Sequence, residues 1–139
     1  MNRSSPNVDS RVIEAIRRHA YRILVIDDDD SFRKSFRFML ERIFNAQVED
    51  VSSGAAGIEK VRSCSYDLIF TDIMMPEMTG VEAYQELIKV DAGARIVMMS
   101  AYSNSSEWEK AQGLTGATVL QKPIPSNALI EVLSRKDEG

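Results

Sequence analysis

The stretch Ile23-Leu24-Val25-Ile26 followed by Asp27-Asp28-Asp29-Asp30 decides the fold, because a run of apolar residues stops abruptly in four carboxylates. Three later segments repeat this arrangement of an apolar run with a polar end. They are Leu68-Ile69-Phe70 before Thr71-Asp72, Ile96-Val97-Met98-Met99 before Ser100, and Val119-Leu120 before Gln121-Lys122-Pro123. In an open parallel sheet the carboxyl ends of the strands line up along one edge, where ligands bind. We therefore predict that the four polar ends share one pocket.

The predicted pocket combines several carboxylates with one hydroxyl and one ammonium group. Asp27 and Asp28 directly follow a buried strand, where like charges repel each other unless they share a cation. Mg²⁺ is a hard cation that prefers oxygen ligands and often accompanies phosphate groups. The pattern therefore predicts a divalent cation site and phosphoryl chemistry. Asp29 and Asp30 fit the start of the following helix instead, with Asp30 as its cap.

Extended and helical patterns alternate along the chain, which favours a parallel sheet with helices on both faces. The predicted strands are 22–27, 47–51, 67–71, 95–99 and 117–121. The predicted helices that follow them are 31–44, 54–62, 80–90, 105–114 and a last helix with Pro125 in its first turn. Another helix is predicted for 10–20, ahead of the first strand, with Asp9 or Ser10 as its cap.

Length and composition are typical of one small domain in a reducing compartment. The chain has 139 residues, of which 44% are hydrophobic and 27% charged, and it carries a net charge of −4. This acidic balance argues against a nucleic-acid-binding surface over the whole chain. No apolar run approaches the ~20 residues that span a bilayer. The lone Cys64 excludes an internal disulfide, so we expect a cytoplasmic location and no membrane partner.

Four motifs together resemble the receiver domain of two-component response regulators. They are Ile26-Asp27-Asp28, Thr71-Asp72-Ile73-Met74-Met75-Pro76-Glu77-Met78-Thr79-Gly80, Met99-Ser100-Ala101 and Gln121-Lys122-Pro123. The resemblance implies a flavodoxin-like, doubly wound α/β fold with a five-stranded parallel sheet in the order 2-1-3-4-5 and helices on both faces. We expect a receiver domain over 21–135, a helical N-terminal extension over 1–20, and a polar tail over 136–139.

The resemblance also implies which residues hold the phosphoryl group and the metal. Asp72 would be the phosphoacceptor, a carboxylate nucleophile that becomes an aspartyl-phosphate. Mg²⁺ would be held by Asp28, Asp72 and the backbone carbonyl of Met74. Asp27 would complete the metal site, mostly through water. The donor would be a sensor histidine kinase or a phosphotransfer protein, so the domain would not be an enzyme in its own right.

Two further groups complete the site that the resemblance implies. Lys122 would pair with a phosphoryl oxygen, and Ser100 would donate its hydroxyl to the phosphoryl group and move towards it. The peptide bond between Lys122 and Pro123 would be cis. The domain would bind no nucleic acid directly, and residues 1–20 would either pack on the domain or form a homodimer. No output domain fits after residue 135, so the chain would be a stand-alone receiver or a piece of a longer protein.

One position departs from the pattern of the family. Receivers usually carry Tyr or Phe three residues before the lysine, as a switch that turns inward with the hydroxyl residue. This chain has Val119 there. We therefore expect the signal to pass through Ser100 and the loop with Tyr102, or through the helix with Trp108, and to perturb residues 100–116.

Two other functions remain open from the sequence. The run from Asp27 to Ser31 loosely resembles the motif of haloacid-dehalogenase-like phosphatases, with Asp27 as nucleophile and Asp29 as acid-base. That interpretation leaves the motif after Asp72 unexplained, and the later Gly-Asp motif of those enzymes is missing. The other alternative is a pseudo-receiver, an interaction module that works without phosphorylation, which Val119 supports.

Overall fold

The computed structural model describes residues 4–114 and 117–135, with side chains from residue 10 onward. Within these ranges six helices and five strands alternate. The strands are β1 (Arg22–Ile26), β2 (Gln47–Val51), β3 (Leu68–Asp72), β4 (Ile96–Ser100) and β5 (Thr118–Gln121). The helices are α1 (Ser4–His19), α2 (Asp30–Phe44), α3 (Gly54–Ser63), α4 (Gly80–Val90), α5 (Ser106–Gln112) and α6 (Ser126–Ser134). None of the described helices has the length and apolar character needed to cross a bilayer.

The five strands form one parallel sheet in the order β2-β1-β3-β4-β5, which confirms the predicted flavodoxin-like topology. The register brings the polar strand ends side by side. Ile26 pairs with Thr71, so the next residues along each strand, Asp27 and Asp72, become neighbours. The backbone register of the sheet alone therefore places these residues side by side at one edge.

Apolar side chains cover both faces of this sheet, as expected for a parallel sheet wrapped by helices. On one face Val25 and Phe70 pack with the buried residues of α1, α2 and α6. On the other face Leu24 and Ile69 pack with those of α3, α4 and α5. Every residue of β3 and β4 is buried, which makes the ends of these strands rigid supports.

Three predicted helix starts differ from the structure. The cap of α2 is Asp29, whose carboxylate accepts from the backbone N–H of Phe32, so the prediction of Asp30 was wrong. Both residues have an acceptable capping carboxylate, and the helix begins at Asp30 itself. The helix before β1 begins at Ser4, so neither Asp9 nor Ser10 caps it. Pro125 stands at the cap position of α6 rather than inside its first turn.

The N-terminal helix α1 packs against the rest of the fold through Val12, Ile13 and Ile16 and through a set of polar contacts. Ile16 is 3% exposed within the core cluster of α2 and α6. The Arg17 guanidinium donates to the backbone oxygens of Arg42 and Ile43, both at 3.0 Å, and so satisfies carbonyls at the end of α2. The side-chain amide of Asn45 donates back to the carbonyl of Arg17 at 3.1 Å.

Candidate functional site

The side chains predicted from the strand ends come together at the carboxyl edge of the sheet. Asp27 and Asp28 follow β1, and Asp72 ends β3. One oxygen from each of these three carboxylates lies within 4.8 Å of the other two. Asp27 is fully buried and Asp72 is 6% exposed, whereas Asp28 is open to solvent. Buried, like-charged groups of this kind require cationic or hydrogen-bonding partners.

Asp27 has such partners on its side chain and on its backbone. Its Oδ2 lies 2.7 Å from the Lys122 ammonium, and its Oδ1 accepts from the backbone N–H of Asp29 at 2.9 Å. Its carbonyl oxygen accepts from the Arg33 guanidinium at 2.7 Å. Arg33 also pairs with Asp30 and with Asp50 of β2, so one arginine ties the acidic loop to the sheet.

Lys122 connects the two buried carboxylates. Its Nζ lies 2.7 Å from Asp27 and 3.5 Å from Oδ1 of Asp72, and 4.1 Å from the centroid of the Phe32 ring. Its backbone N–H donates to the carbonyl of Ser100 at 2.8 Å. The bond to Pro123 is cis, which confirms that expectation.

The pKa of Asp72 is raised from 3.8 to about 6, mainly because its carboxyl group is buried. The negative charges of Asp27 and Asp28 contribute to this rise, while the Lys122 ammonium acts in the opposite direction. One ammonium therefore does not balance three carboxylates. A perturbed carboxyl group in a polar cleft is a common property of functional sites.

The loop after Asp72 is held by a close backbone approach from α4. The N–H of Gly80 donates to the carbonyl of Ile73 at 2.8 Å. A Cβ at Gly80 would lie 2.4 Å from the carbonyl oxygen of Asp72, so only glycine fits there. Met74, the predicted carbonyl ligand, lies in this loop two residues after Asp72, and its side chain is exposed.

Ser100 is buried at the end of β4, and its hydroxyl oxygen accepts from the backbone N–H of Tyr102 at 2.9 Å. The Tyr102 side chain is 62% exposed. Val119, at the position where an aromatic residue is usual, packs half-buried against the core cluster of α3, α4 and α5, as Trp108 does.

The sequence analysis missed two residues of the site, Phe32 and Arg33. Phe32 follows the acidic run in the first turn of α2, and its ring faces the Lys122 ammonium. The contact of Arg33 with Asp30 could have been predicted from their spacing, because residues three positions apart lie on the same side of a helix.

Sequence and structure comparisons give one consistent result. Residues 23–134 match the family model described as the response regulator receiver domain. The chain is 33% identical over 116 residues to the chemotaxis protein CheY of Bacillus subtilis (strain 168), which covers 84% of this chain and 97% of that protein. It is 34% identical over 109 residues to the transcriptional regulatory protein FixJ of Azorhizobium caulinodans, which covers 76% of this chain and 50% of FixJ.

A solved receiver domain protein from Clostridium thermocellum has the same fold, with a TM-score of 0.72 at 26% identity over 81% of this chain and 90% of that one. The chain therefore belongs to the response regulator receiver domain family. Members of this family are signalling modules of two-component systems that bind Mg²⁺ at an acidic pocket and interact with histidine kinases or phosphotransfer proteins.

Proposed function

We propose that this chain accepts a phosphoryl group on Asp72 in a reaction that requires Mg²⁺. The donor is a sensor histidine kinase or a phosphotransfer protein, and the chain relays the signal by a change of conformation. The observation that carries the proposal is the convergence of three carboxylate oxygens within 4.8 Å, with Lys122 between Asp27 and Asp72. By family membership and by its single cysteine, we place this activity in the cytoplasm.

Asp72 is the best placed nucleophile of the three carboxylates. Asp27 is fully buried and both of its oxygens already have partners, while Asp28 is exposed. An oxygen lone pair of Asp72 forms the new O–P bond as the P–N bond of a phosphohistidine breaks, and the released electron pair stays on the imidazole nitrogen. The other residues position the reacting groups and stabilise the charge that spreads over the phosphoryl oxygens.

The donor set fits Mg²⁺, because hard carboxylate oxygens cluster where negative charge exceeds positive charge. We assign Asp28, Asp72 and the carbonyl of Met74 as direct ligands, with Asp27 acting mostly through water. When bound, Mg²⁺ supplies charge neutralisation at the phosphoryl oxygens. Lys122 is 3.5 Å from Asp72, so a small movement of its flexible chain brings the ammonium to a phosphoryl oxygen.

Ser100 is the second group that we assign to the phosphoryl oxygens. It lies on β4 directly after Met99, the residue that pairs with Asp72. Its hydroxyl hydrogen is free to rotate, whereas its oxygen accepts from Tyr102. One donor to a phosphoryl oxygen would therefore come from the end of β4, the strand beside the acceptor strand β3, and the other from Lys122, directly after β5.

The proposal predicts a single phosphorylated residue. With Mg²⁺ and acetyl phosphate as donor, intact-mass spectrometry should show one added phosphoryl group on the wild-type chain. Asp72→Asn should abolish this addition, because an amide oxygen is a poor nucleophile. The matched control is Glu77→Gln, an exposed carboxyl group in the same loop, which should be phosphorylated like the wild type.

The phosphatase alternative makes the opposite prediction. It requires that Asp27→Asn abolishes the covalent intermediate while Asp72→Asn leaves it intact, and that the wild type turns over p-nitrophenyl phosphate continuously. The use of Asp29 as helix cap counts against its role as acid-base. The pseudo-receiver alternative requires that no donor phosphorylates the chain, although Asp72 and Lys122 are both present and in contact.

A further inference from the structure

The Lys122 ammonium has an aromatic partner as well as its two carboxylates. Its nitrogen lies 4.1 Å from the centroid of the Phe32 ring, within the ~6 Å range of cation–π attraction. Only 13% of the Lys122 side chain is exposed, so water competes weakly for the ammonium. The same nitrogen is 0.8 Å closer to Asp27, at 2.7 Å, than to Asp72, at 3.5 Å.

The Phe32 ring is itself fixed in place by other aromatic residues. It stacks on Phe36 with the ring centroids 5.2 Å apart, and Phe36 meets the edge of Phe70 at 5.0 Å. Phe70 belongs to β3, the strand that ends at Asp72. The first turn of α2 therefore presents a fixed aromatic face to the ammonium, and the position of that face is set by the core.

We propose that Phe32 is a positioning residue, whose ring holds the Lys122 ammonium against Asp27 until a phosphoryl group is attached to Asp72. This inference rests on the proposed function, because it concerns the resting place of the lysine in the same site. Lys122 then moves from Asp27 towards the phosphoryl oxygen on Asp72. Mg²⁺ competes with the ammonium for the same carboxylates, so the ring also weakens the binding of the metal.

A direct test uses the ring current of Phe32 in the metal-free protein. Protons held over the face of an aromatic ring resonate upfield, so the ε-methylene protons of Lys122 should be shifted upfield in the wild type. Phe32→Leu should remove this shift and Phe32→Tyr should keep it. Phe38→Leu, the same change at an exposed position of α2 whose ring contacts Arg42 instead, should leave it unchanged. An identical Lys122 signal in the wild type and Phe32→Leu would overturn the proposal.

A second test separates cation–π attraction from packing. Replacing Phe32 with pentafluorophenylalanine keeps the size of the ring but reverses its charge distribution. We expect this variant and Phe32→Leu both to bind Mg²⁺ roughly fivefold more tightly, measured by titration calorimetry. In a Lys122→Met background Phe32→Leu should have no such effect. A gain with leucine but none with the fluorinated ring, or a gain that persists without Lys122, would show that Phe32 is only packing.

These outcomes are distinct from a failure of the proposed function. If acetyl phosphate does not phosphorylate the wild type, the proposed function fails, yet the ring-current shift and its loss in Phe32→Leu remain measurable. If the chain is phosphorylated on Asp72 but the Lys122 signal is the same with and without the ring, only the role of Phe32 is wrong.

Discussion

Asp72 is subject to two opposing influences at the end of β3. Burial and the charge of Asp27 favour its protonated form, and Lys122 favours its ionised form. Burial and repulsion dominate, so the pKa rises to about 6. A carboxyl group in this state weakens the fold when it ionises, and a bound cation relieves that cost. If the site binds Mg²⁺ as we propose, relief of this repulsion contributes to its affinity for the metal.

This balance predicts an unusual pH dependence of stability in the metal-free protein. Between the unfolded pKa of 3.8 and the folded pKa of about 6, the folded chain binds more protons at Asp72 than the unfolded chain. The contribution of Asp72 to the free energy of unfolding should therefore fall as pH rises through that window and stay constant above it. Asp72→Asn should remove this fall and stabilise the protein near neutral pH by about 1–2 kcal/mol.

Urea unfolding in EDTA at several pH values across that window would measure the effect as the difference between variant and wild type. The difference cancels the contribution of those carboxyl groups that do not interact with Asp72. Glu77→Gln, at an exposed position, serves as the control and should follow the wild type. Parallel curves for Asp72→Asn and the wild type would contradict the raised pKa.

At the scale of single residues the sequence predicted which side chains meet but not all of their contacts. Asp27, Asp72, Ser100 and Lys122 were identifiable because each follows an apolar strand, and parallel strands align their ends. The contact of Lys122 with Phe32 could not be predicted, because it depends on where the flexible lysine side chain lies after the helix has packed on the sheet. The sequence pattern also could not decide whether Asp29 or Asp30 caps α2, because both residues carry a carboxylate that can accept from the helix N-terminus.

At the scale of elements, the position of Asp72 depends on how α4 begins. The hydroxyl of Thr79 accepts from the backbone N–H of Glu82, and the Glu82 carboxylate accepts from the backbone N–H of Thr79. This capping box fixes the first turn of the helix, which starts at Gly80. Because Gly80 lacks a side chain, this turn packs directly on the backbone of Asp72 and Ile73.

Gly80→Ala should therefore disturb the site as well as the fold. The added Cβ would meet the Asp72 oxygen at 2.4 Å and the Ile73 Cα at 2.7 Å, and both are backbone atoms that cannot rotate away. We expect a loss of about 1–3 kcal/mol in the free energy of unfolding and weaker binding of Mg²⁺. Urea unfolding and metal titration would measure the two effects.

The control is Gly93→Ala, where the new Cβ would meet only the Asp91 carboxylate at an ordinary 3.7 Å. It should change neither quantity by more than about 0.5 kcal/mol. If Gly80→Ala were as mild as Gly93→Ala, the close approach of α4 to the acceptor strand would be wrong.

Strands were easier to predict than the first helix for a physical reason. Four of the five strands contain a short apolar run with polar ends, and all five were placed within one residue of their observed bounds. The start of α1 was missed because residues 4–9 are mostly polar and give no apolar period. A proline such as Pro6 usually indicates the end of a helix. In the first turn, however, the backbone N–H that proline lacks would have no partner within the helix, so Pro6 is tolerated there.

At the scale of the whole molecule, α1 behaves as a part of the domain that the family model leaves out, since the match begins at residue 23. Ile16 is buried between α1 and the core, so Ile16→Ala should lower the free energy of unfolding by about 2 kcal/mol or more. Arg18→Ala, at an exposed position of the same helix, should have little effect. Both would be measured by urea unfolding, at protein concentrations where sedimentation shows a monomer.

A helix that served only as a dimer contact would give a different result. Ile16→Ala would then shift the monomer–dimer equilibrium in sedimentation and leave the stability of the monomer unchanged. The hydrogen bonds from Arg17 to the end of α2 favour packing within one chain. A stability loss that grows with protein concentration would instead support the homodimer.

If this chain relays a signal as we propose, the change must cross the molecule without an aromatic residue at position 119, and a chain of hydrogen bonds offers another route. The Tyr102 N–H donates to the Ser100 hydroxyl oxygen at 2.9 Å, and the Ser105 hydroxyl donates to the Tyr102 carbonyl at 3.1 Å. Ser105 in turn caps α5 by accepting from the Trp108 N–H at 3.0 Å. Three hydrogen bonds thus connect the end of β4 to the first turn of α5.

If Ser100 turns towards a phosphoryl group, Tyr102 loses its acceptor and the strain should reach α5 through Ser105. Beryllofluoride with Mg²⁺ should therefore shift the amide resonances of residues 100–114 more than those of 117–121, which include Val119. Ser105→Asp keeps a capping carboxylate for α5 but cannot donate to Tyr102, so the shifts should end near Tyr102. Larger shifts at 117–121 than at 100–114 would place the route through β5 instead. An unchanged pattern in Ser105→Asp would show that the hydrogen bond from Ser105 to Tyr102 does not carry the change.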